Sequence, residues 1–175
     1  YGNVDEVELV LNGKTIRRQT ADKGPDSDYI PVPNGGNGKN LHFPPFTFYG
    51  VSKERGVLKA VGYHQGKKVA EYTVKTPGVP ERLDITYFES GKPATKNDLL
   101  IVYVRMLDKQ GVLCPVNGIP VELSVQGGEI VGPTSYPLEA GVASFLVRTG
   151  EISKININAT GKGFSTRKSL KVGKE

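Results

Sequence analysis

Hydrophobic and polar positions alternate with a period of two along most of this chain. In "VELVLNGKTIRR", residues 7 to 18, Val7, Leu9 and Leu11 alternate with Glu6 and Glu8, the pattern of a strand with one buried face. Asn12-Gly13 supplies the two positive-φ residues that a type I′ turn requires, so the chain reverses into an antiparallel hairpin. With those two residues as the loop, the spacing predicts Leu9 opposite Ile16 on the buried side and Glu8 opposite Arg17 on the wet side. A second hairpin is predicted in "GVLKAVGYHQGKKVAEYTVKT", with strands from about Leu58 to Tyr63 and Lys68 to Val74 and a reversal at Gln65-Gly66.

Between the hairpins, "TADKGPDSDYIPVPNGGNGKN" is too rich in Gly, Pro, Asp and Asn for regular structure, and it runs into an aromatic cluster, "LHFPPFTFYG". Together they form a long inserted loop near 19–49. After the second hairpin, "KTPGVPERL" reads as a linker. Pro77 and Pro80 flank Gly78, the residue before each proline is biased to an extended conformation, and neither proline can donate to a ladder. The expected division is therefore a small β-domain over 1–77 and a second over 78–175.

In the second part alternation resumes at Leu83, Ile85 and Tyr87, and again at Val121, Leu123 and Val125, at Ala143, Phe145 and Val147, and at Ile155, Ile157 and Ala159. "LLIVYVRMLD" is apolar over much of its length and reads as a central strand. Turn signals at "DKQG", "NGIP", "QGGE" and "EAG" separate these segments, and no stretch holds a 3.6-residue period. The fold class expected is all-β, with about seven short strands in a sandwich over 78–175.

Composition narrows the functional classes. The chain has 175 residues with a net charge of +5, but the basic excess is thin: residues 1–77 carry 11 Lys+Arg against 8 Asp+Glu, and 78–175 carry 12 against 10. The visibly basic tail "GKGFSTRKSLKVGKE", with Lys162, Arg167, Lys168, Lys171 and Lys174, reads as a solvated strand face rather than a surface for an anionic partner. No apolar run approaches the ~20 residues of a membrane-crossing helix. Nucleic acid and membrane are therefore not among the expected partners. Cys114 has no second cysteine to pair with and no ligands at zinc spacing. The chain opens at Tyr1 without a basic and apolar leader, and we expect it to be a piece of a longer protein.

No residue type in this chain forms a convincing catalytic set, and we expect no catalytic residue, no metal site and no cofactor. His42 and His64 are the only histidines, and each reads as surface or packing rather than as a base beside a nucleophile. Asp22, Asp26 and Asp28 in "ADKGPDSDY" could offer oxygen to Ca²⁺, but the Gly and terminal Glu of a full binding loop are missing, so ordinary turn chemistry is the expectation. "NGGNGKN" lacks the Lys-Ser/Thr pair and following helix of a phosphate loop. The best functional candidate is the aromatic group Tyr29, Phe43, Phe46, Phe48 and Tyr49, which could pack as core, dock against a neighbouring domain, or stack on sugar faces.

The pieces "DEVELVLNGKTI", "GVLKAVGYHQGKKVAEYTVKTPG" and "LLIVYVRMLDKQGVLCP" with "GIPVELSVQGGEIVG" together resemble the region downstream of the catalytic barrel in bacterial glycoside hydrolase family 2, the β-galactosidase-like group. The likeness covers most of residues 3 to 160. It implies two consecutive Ig-like or fibronectin-III-like β-sandwiches, accessory to a (β/α)8 barrel that carries the two catalytic carboxylates. Such a barrel takes about 200 residues or more and alternating helices, which this chain lacks. The resemblance implies a non-catalytic domain pair of a β-galactosidase-like glycosidase in the periplasm or outside the cell, with the barrel and other domains of the parent chain as partners. The alternatives are a carbohydrate-binding module, with glycan as partner, and an Ig-like adhesin or spacer segment.

Overall fold

The computed structural model describes residues 2–22, 43–88 and 93–173. Two compact units divide the chain, Tyr1–Thr76 and Pro77–Glu175, and among the described residues every regular element is a β-strand.

The first unit contains β1 (Glu6–Leu11), β2 (Lys14–Thr20), β3 (Val57–His64) and β4 (Lys67–Lys75), hydrogen-bonded in the order β2-β1-β3-β4 with all pairs antiparallel. Both hairpins reverse where the sequence places the turns, at Asn12-Gly13 and Gln65-Gly66, and all four residues have positive φ. The register of the first differs from the expectation. A bulge shifts the pairing between Leu9 and Val10, so that Val10 lies opposite Thr15, Leu9 opposite Arg17 and Glu8 opposite Arg18. Ile16 becomes the extra residue of the bulge and is exposed. Turn geometry fixes the register only until a bulge adds a residue.

The polar face of this sheet gains from the shift. Arg18 lies 2.6 Å from Glu6 and stacks 3.7 Å above the Tyr63 ring. Glu8 accepts hydrogen bonds from the hydroxyls of Thr15 (2.6 Å) and Tyr63 (2.6 Å). Val7, Leu9 and Leu11 share the opposite face with Leu58 and Ala60, following the cross-strand pairing of β1 and β3.

The second unit is a sandwich of eight described strands. One sheet has the order β5-β6-β10-β8, from β5 (Pro80–Tyr87), β6 (Leu99–Asp108), β10 (Val142–Thr149) and β8 (Gly128–Ile130); the other has the order β12-β11-β7-β9, from β12 (Phe164–Lys171), β11 (Lys154–Gly161), β7 (Pro120–Gln126) and β9 (Ser135–Pro137). Leu100, Val102, Val104 and Met106 of β6 share one buried core with Ile155, Ile157 and Ala159 of β11. "LLIVYVRMLD" is central to its sheet, between β5 and β10. Its burial nevertheless alternates, since Leu99 and Ile101 face outward and stay exposed. The basic tail forms edge strand β12, with Arg167, Lys168 and Lys171 in solvent while Leu170 is buried. Charged residues of this kind discourage pairing with a further strand.

Candidate functional site

The aromatic segment takes its place from the first unit's sheet. Residues 43–50 run without a strand or helix, and one carboxylate holds them. Asp22 accepts the backbone N–H of Thr47 (3.2 Å) on one oxygen and the Thr47 hydroxyl (2.5 Å) on the other, while its own N–H donates to the Pro45 carbonyl (2.9 Å). Gln19 at the end of β2 donates its side-chain amide to the Thr47 carbonyl (2.9 Å). Asp22, weighed above as a calcium ligand, thus spends both oxygens on Thr47. Asp26, Asp28, His42, "NGGNGKN" and Tyr29 lie outside the described residues. Of the remaining aromatic candidates, Phe43 is half-exposed, and Phe46, Phe48 and Tyr49 are partly buried. The structure therefore gathers four of the five candidates on one anchored arm. The anchor was not visible in the sequence because Asp22 and Thr47 are 25 residues apart.

His64 lies at the second hairpin turn, with Nδ1 3.1 Å from Asp5 Oδ1, and the other Asp5 oxygen accepts the Gln65 N–H at 2.6 Å. The pair caps the turn in open solvent. In the second unit Asp108 is buried at the end of β6, and its carboxylate accepts the N–H groups of Gly78 (2.7 Å), Gln110 (2.8 Å) and Val112 (2.8 Å). One side chain therefore closes the turn after β6 and holds the start of the second unit at Gly78. Cys114 is buried close by.

The electrostatics of these groups follow from their hydrogen bonds and burial. Backbone donation from Gln65, assisted by His64, lowers the Asp5 carboxyl. The Thr15 and Tyr63 hydroxyls lower Glu8, and Glu8 in turn raises the Tyr63 phenol. The N–H groups of Gly78, Val112 and Gln110 lower Asp108, while burial and the Asp108 charge push the Cys114 thiol up. Carboxyls thus move down and the phenol and thiol up. A general acid or base working near neutral pH needs the opposite displacement.

A shallow depression of about 410 Å³ lies at one end of the β6-β10-β8 sheet, lined by Asn97, Gly128, Glu129, Arg148, Thr149 and Gly150. Arg148 pairs with Glu129, and Glu151 is held by the Asn97 amide (2.6 Å) and Lys96 (3.1 Å). Its charges are paired. Thr149 organises this end: its buried hydroxyl donates to the Thr95 carbonyl (2.6 Å) and accepts the Asp98 N–H (2.8 Å). Sequence reading passed over it, although a Thr in the inward phase of "VASFLVRT" was the available signal.

A family model described as a domain of unknown function (DUF4982) matches residues 1–70. A β-galactosidase of Thermoanaerobacter pseudethanolicus is 29% identical over 161 residues, which are 85% of this chain and 20% of that protein. A β-galactosidase of Rhizobium radiobacter is 30% identical over 129 residues, 73% of this chain and 92% of that relative. Among solved structures, a β-glucuronidase from glycoside hydrolase family 2 is similar in fold, with a TM-score of 0.74 and 22% identity over 99% of this chain and 18% of that one. The chain thus spans about a fifth of the first relative's length. By sequence and by fold, it belongs to the β-galactosidase-like group of glycoside hydrolase family 2.

Proposed function

We propose that this chain is a non-catalytic domain pair, 1–77 and 78–175, of a longer glycosidase of the periplasm or cell exterior, and that it supports and docks onto the catalytic barrel. The parent would hydrolyse terminal β-linked sugars, β-galactosides first among them, by the retaining two-carboxylate route. The observation that carries this reading is the coverage: 85% of the chain aligns with only 20% of a β-galactosidase.

The test is the reading frame that encodes the chain. A frame that also encodes a barrel, with alternating strands and helices over about 200 residues or more, supports the reading. A frame holding only further β-modules overturns it in favour of a spacer or adhesin. Contact with glycan is a second reading, favoured by the half-exposed ring of Phe43. Loss of polysaccharide binding on Phe43→Ala or Phe46→Ala would support it, and a chain that binds no polysaccharide would exclude it.

A further inference from the structure

The two outer faces of the second unit's sandwich differ in kind. On the β12-β11-β7-β9 sheet the outward positions are polar: Ser124 and Glu122 on β7, Asn156 and Asn158 on β11, Arg167 and Ser169 on β12. They bond among themselves, Ser169 donating to Asn156 at 2.7 Å. That face is built for water.

The opposite face carries an apolar row. Ile101 of β6 is the direct partner of Leu146 of β10. The Phe88 N–H bonds the Ile101 carbonyl (2.9 Å), and the Val131 N–H bonds the Leu146 carbonyl (2.8 Å), which extends the row by one residue on each side. Because Leu100, Val102, Phe145 and Val147 point into the core, Ile101 and Leu146 must point out. Phe88, Ile101, Leu146 and Val131 therefore stand abreast across the sheet, and Leu99 widens the row. Their exposures are 61%, 44%, 36% and 37%, with 51% for Leu99.

Charged pairs frame the row on both sides. Leu99 lies opposite Arg148, which pairs with Glu129, and on the other flank, four residues beyond Ile101 along β6 and past Tyr103, stands the Asp84–Arg105 pair. An apolar centre within a polar rim is the anatomy of an interface, and the largest apolar patch on a domain is often functional. Taking about 150–250 Å² for a whole aromatic side chain and somewhat less for an aliphatic one, the row exposes on the order of 400 Å².

We propose that this outer face of the β5-β6-β10-β8 sheet is the surface by which the chain docks onto the catalytic barrel of its own polypeptide, an inference that rests on the function proposed above. The coverage points to this occupant, since 85% of the chain aligns with only about a fifth of a β-galactosidase and the rest of such a parent lies on the same polypeptide. Interfaces between domains of one chain bury about 600–1,500 Å² in total, or about 300–750 Å² a side, and the row falls within that range. A tether holds the partner at millimolar effective concentration, so a small patch suffices. The matching surface on the barrel is then an aliphatic or aromatic patch of similar size with a polar border.

The experiment is hydroxyl-radical footprinting, read by mass spectrometry, of the full-length gene product beside the isolated 175-residue chain. Labelling of Phe88, Leu99, Ile101 and Leu146 is expected to fall several-fold in the full-length protein. Equal labelling in the two, in a protein that does contain a barrel, overturns the docking face and leaves the proposed function standing. A gene product without a barrel overturns both. Sedimentation of the isolated chain at micromolar concentration is expected to show a monomer; a dimer abolished by Leu146→Lys makes a second copy the occupant and also overturns the proposal. Ile101→Lys is expected to lower the melting temperature of the full-length protein and to leave that of the isolated chain nearly unchanged. A similar drop in both would mean that the residue supports the sandwich itself.

Discussion

Replacing Thr149 by Val removes one buried hydroxyl and keeps the side chain's shape, so its cost can be worked from two hydrogen bonds. The hydroxyl donates to the Thr95 carbonyl and accepts the Asp98 N–H, while the backbone bond from the Thr149 N–H to the Asp98 carbonyl survives. Thr95 and Asp98 are only partly buried, so water can replace some of what is lost. Each bond then costs about 1 kcal/mol, or about 2 kcal/mol for the variant. For a domain of about 100 residues that corresponds to a fall of roughly 10 °C in melting temperature. Thr149→Ser keeps both bonds and loses one methyl, at about 0.8 kcal/mol. The assay is urea and thermal unfolding of the whole chain by far-UV circular dichroism, with the transition of the second unit compared across the three proteins. A Val variant within about 0.5 kcal/mol of the parent, or a Ser variant as damaged as Val, would refute the reasoning.

Three further outcomes follow from the same structure. Gly141 has φ +86, and a Cβ there would sit 2.1 Å from the Cys114 carbonyl oxygen, so Gly141→Ala should destabilise the second unit by about 3 kcal/mol or more in urea unfolding. Cys114 is buried with its thiol pKa raised, so N-ethylmaleimide should label it slowly in the folded chain and fully in urea; equal rates would contradict its placement. The N–H groups around Asp108 hold its folded pKa below the unfolded value of about 3.9, so its contribution is complete above that value and is lost as pH falls through the folded pKa. Asp108→Asn should therefore lower stability at neutral pH and flatten its fall below about pH 4, and an unchanged acid limb would count against the assignment.

Local chemistry was legible where it is self-contained. Asn12-Gly13 announces its hairpin because Asn and Gly accept the positive φ of paired turn positions, Gly66 marks the second reversal although Gln65 beside it is an uncommon residue at positive φ, and the inward residues of β10 and β11 follow strict alternation. Register was less legible, because a bulge at Ile16 leaves no mark in the alternation of β1 and yet moves Arg17 and Arg18 by one position. Strands β8 and β9, three residues each, are too short to show a period. The apolar run of β6 marked a central strand, as it is, but did not show which of its faces stays in solvent. Apolar residues in both phases suggest burial on both faces, yet Leu99 and Ile101 face outward. The tether between Asp22 and Thr47 joins segments that no local window contains.

The central claim is that this chain carries none of the parent's chemistry. The most direct test is to incubate the purified 175-residue chain and the full-length gene product, at equal molar concentration, with chromogenic β-galactoside and β-glucuronide substrates. The account predicts turnover by the full-length protein and none by the chain. Turnover that rises in proportion to chain concentration, after contaminating host enzyme is removed, would contradict it.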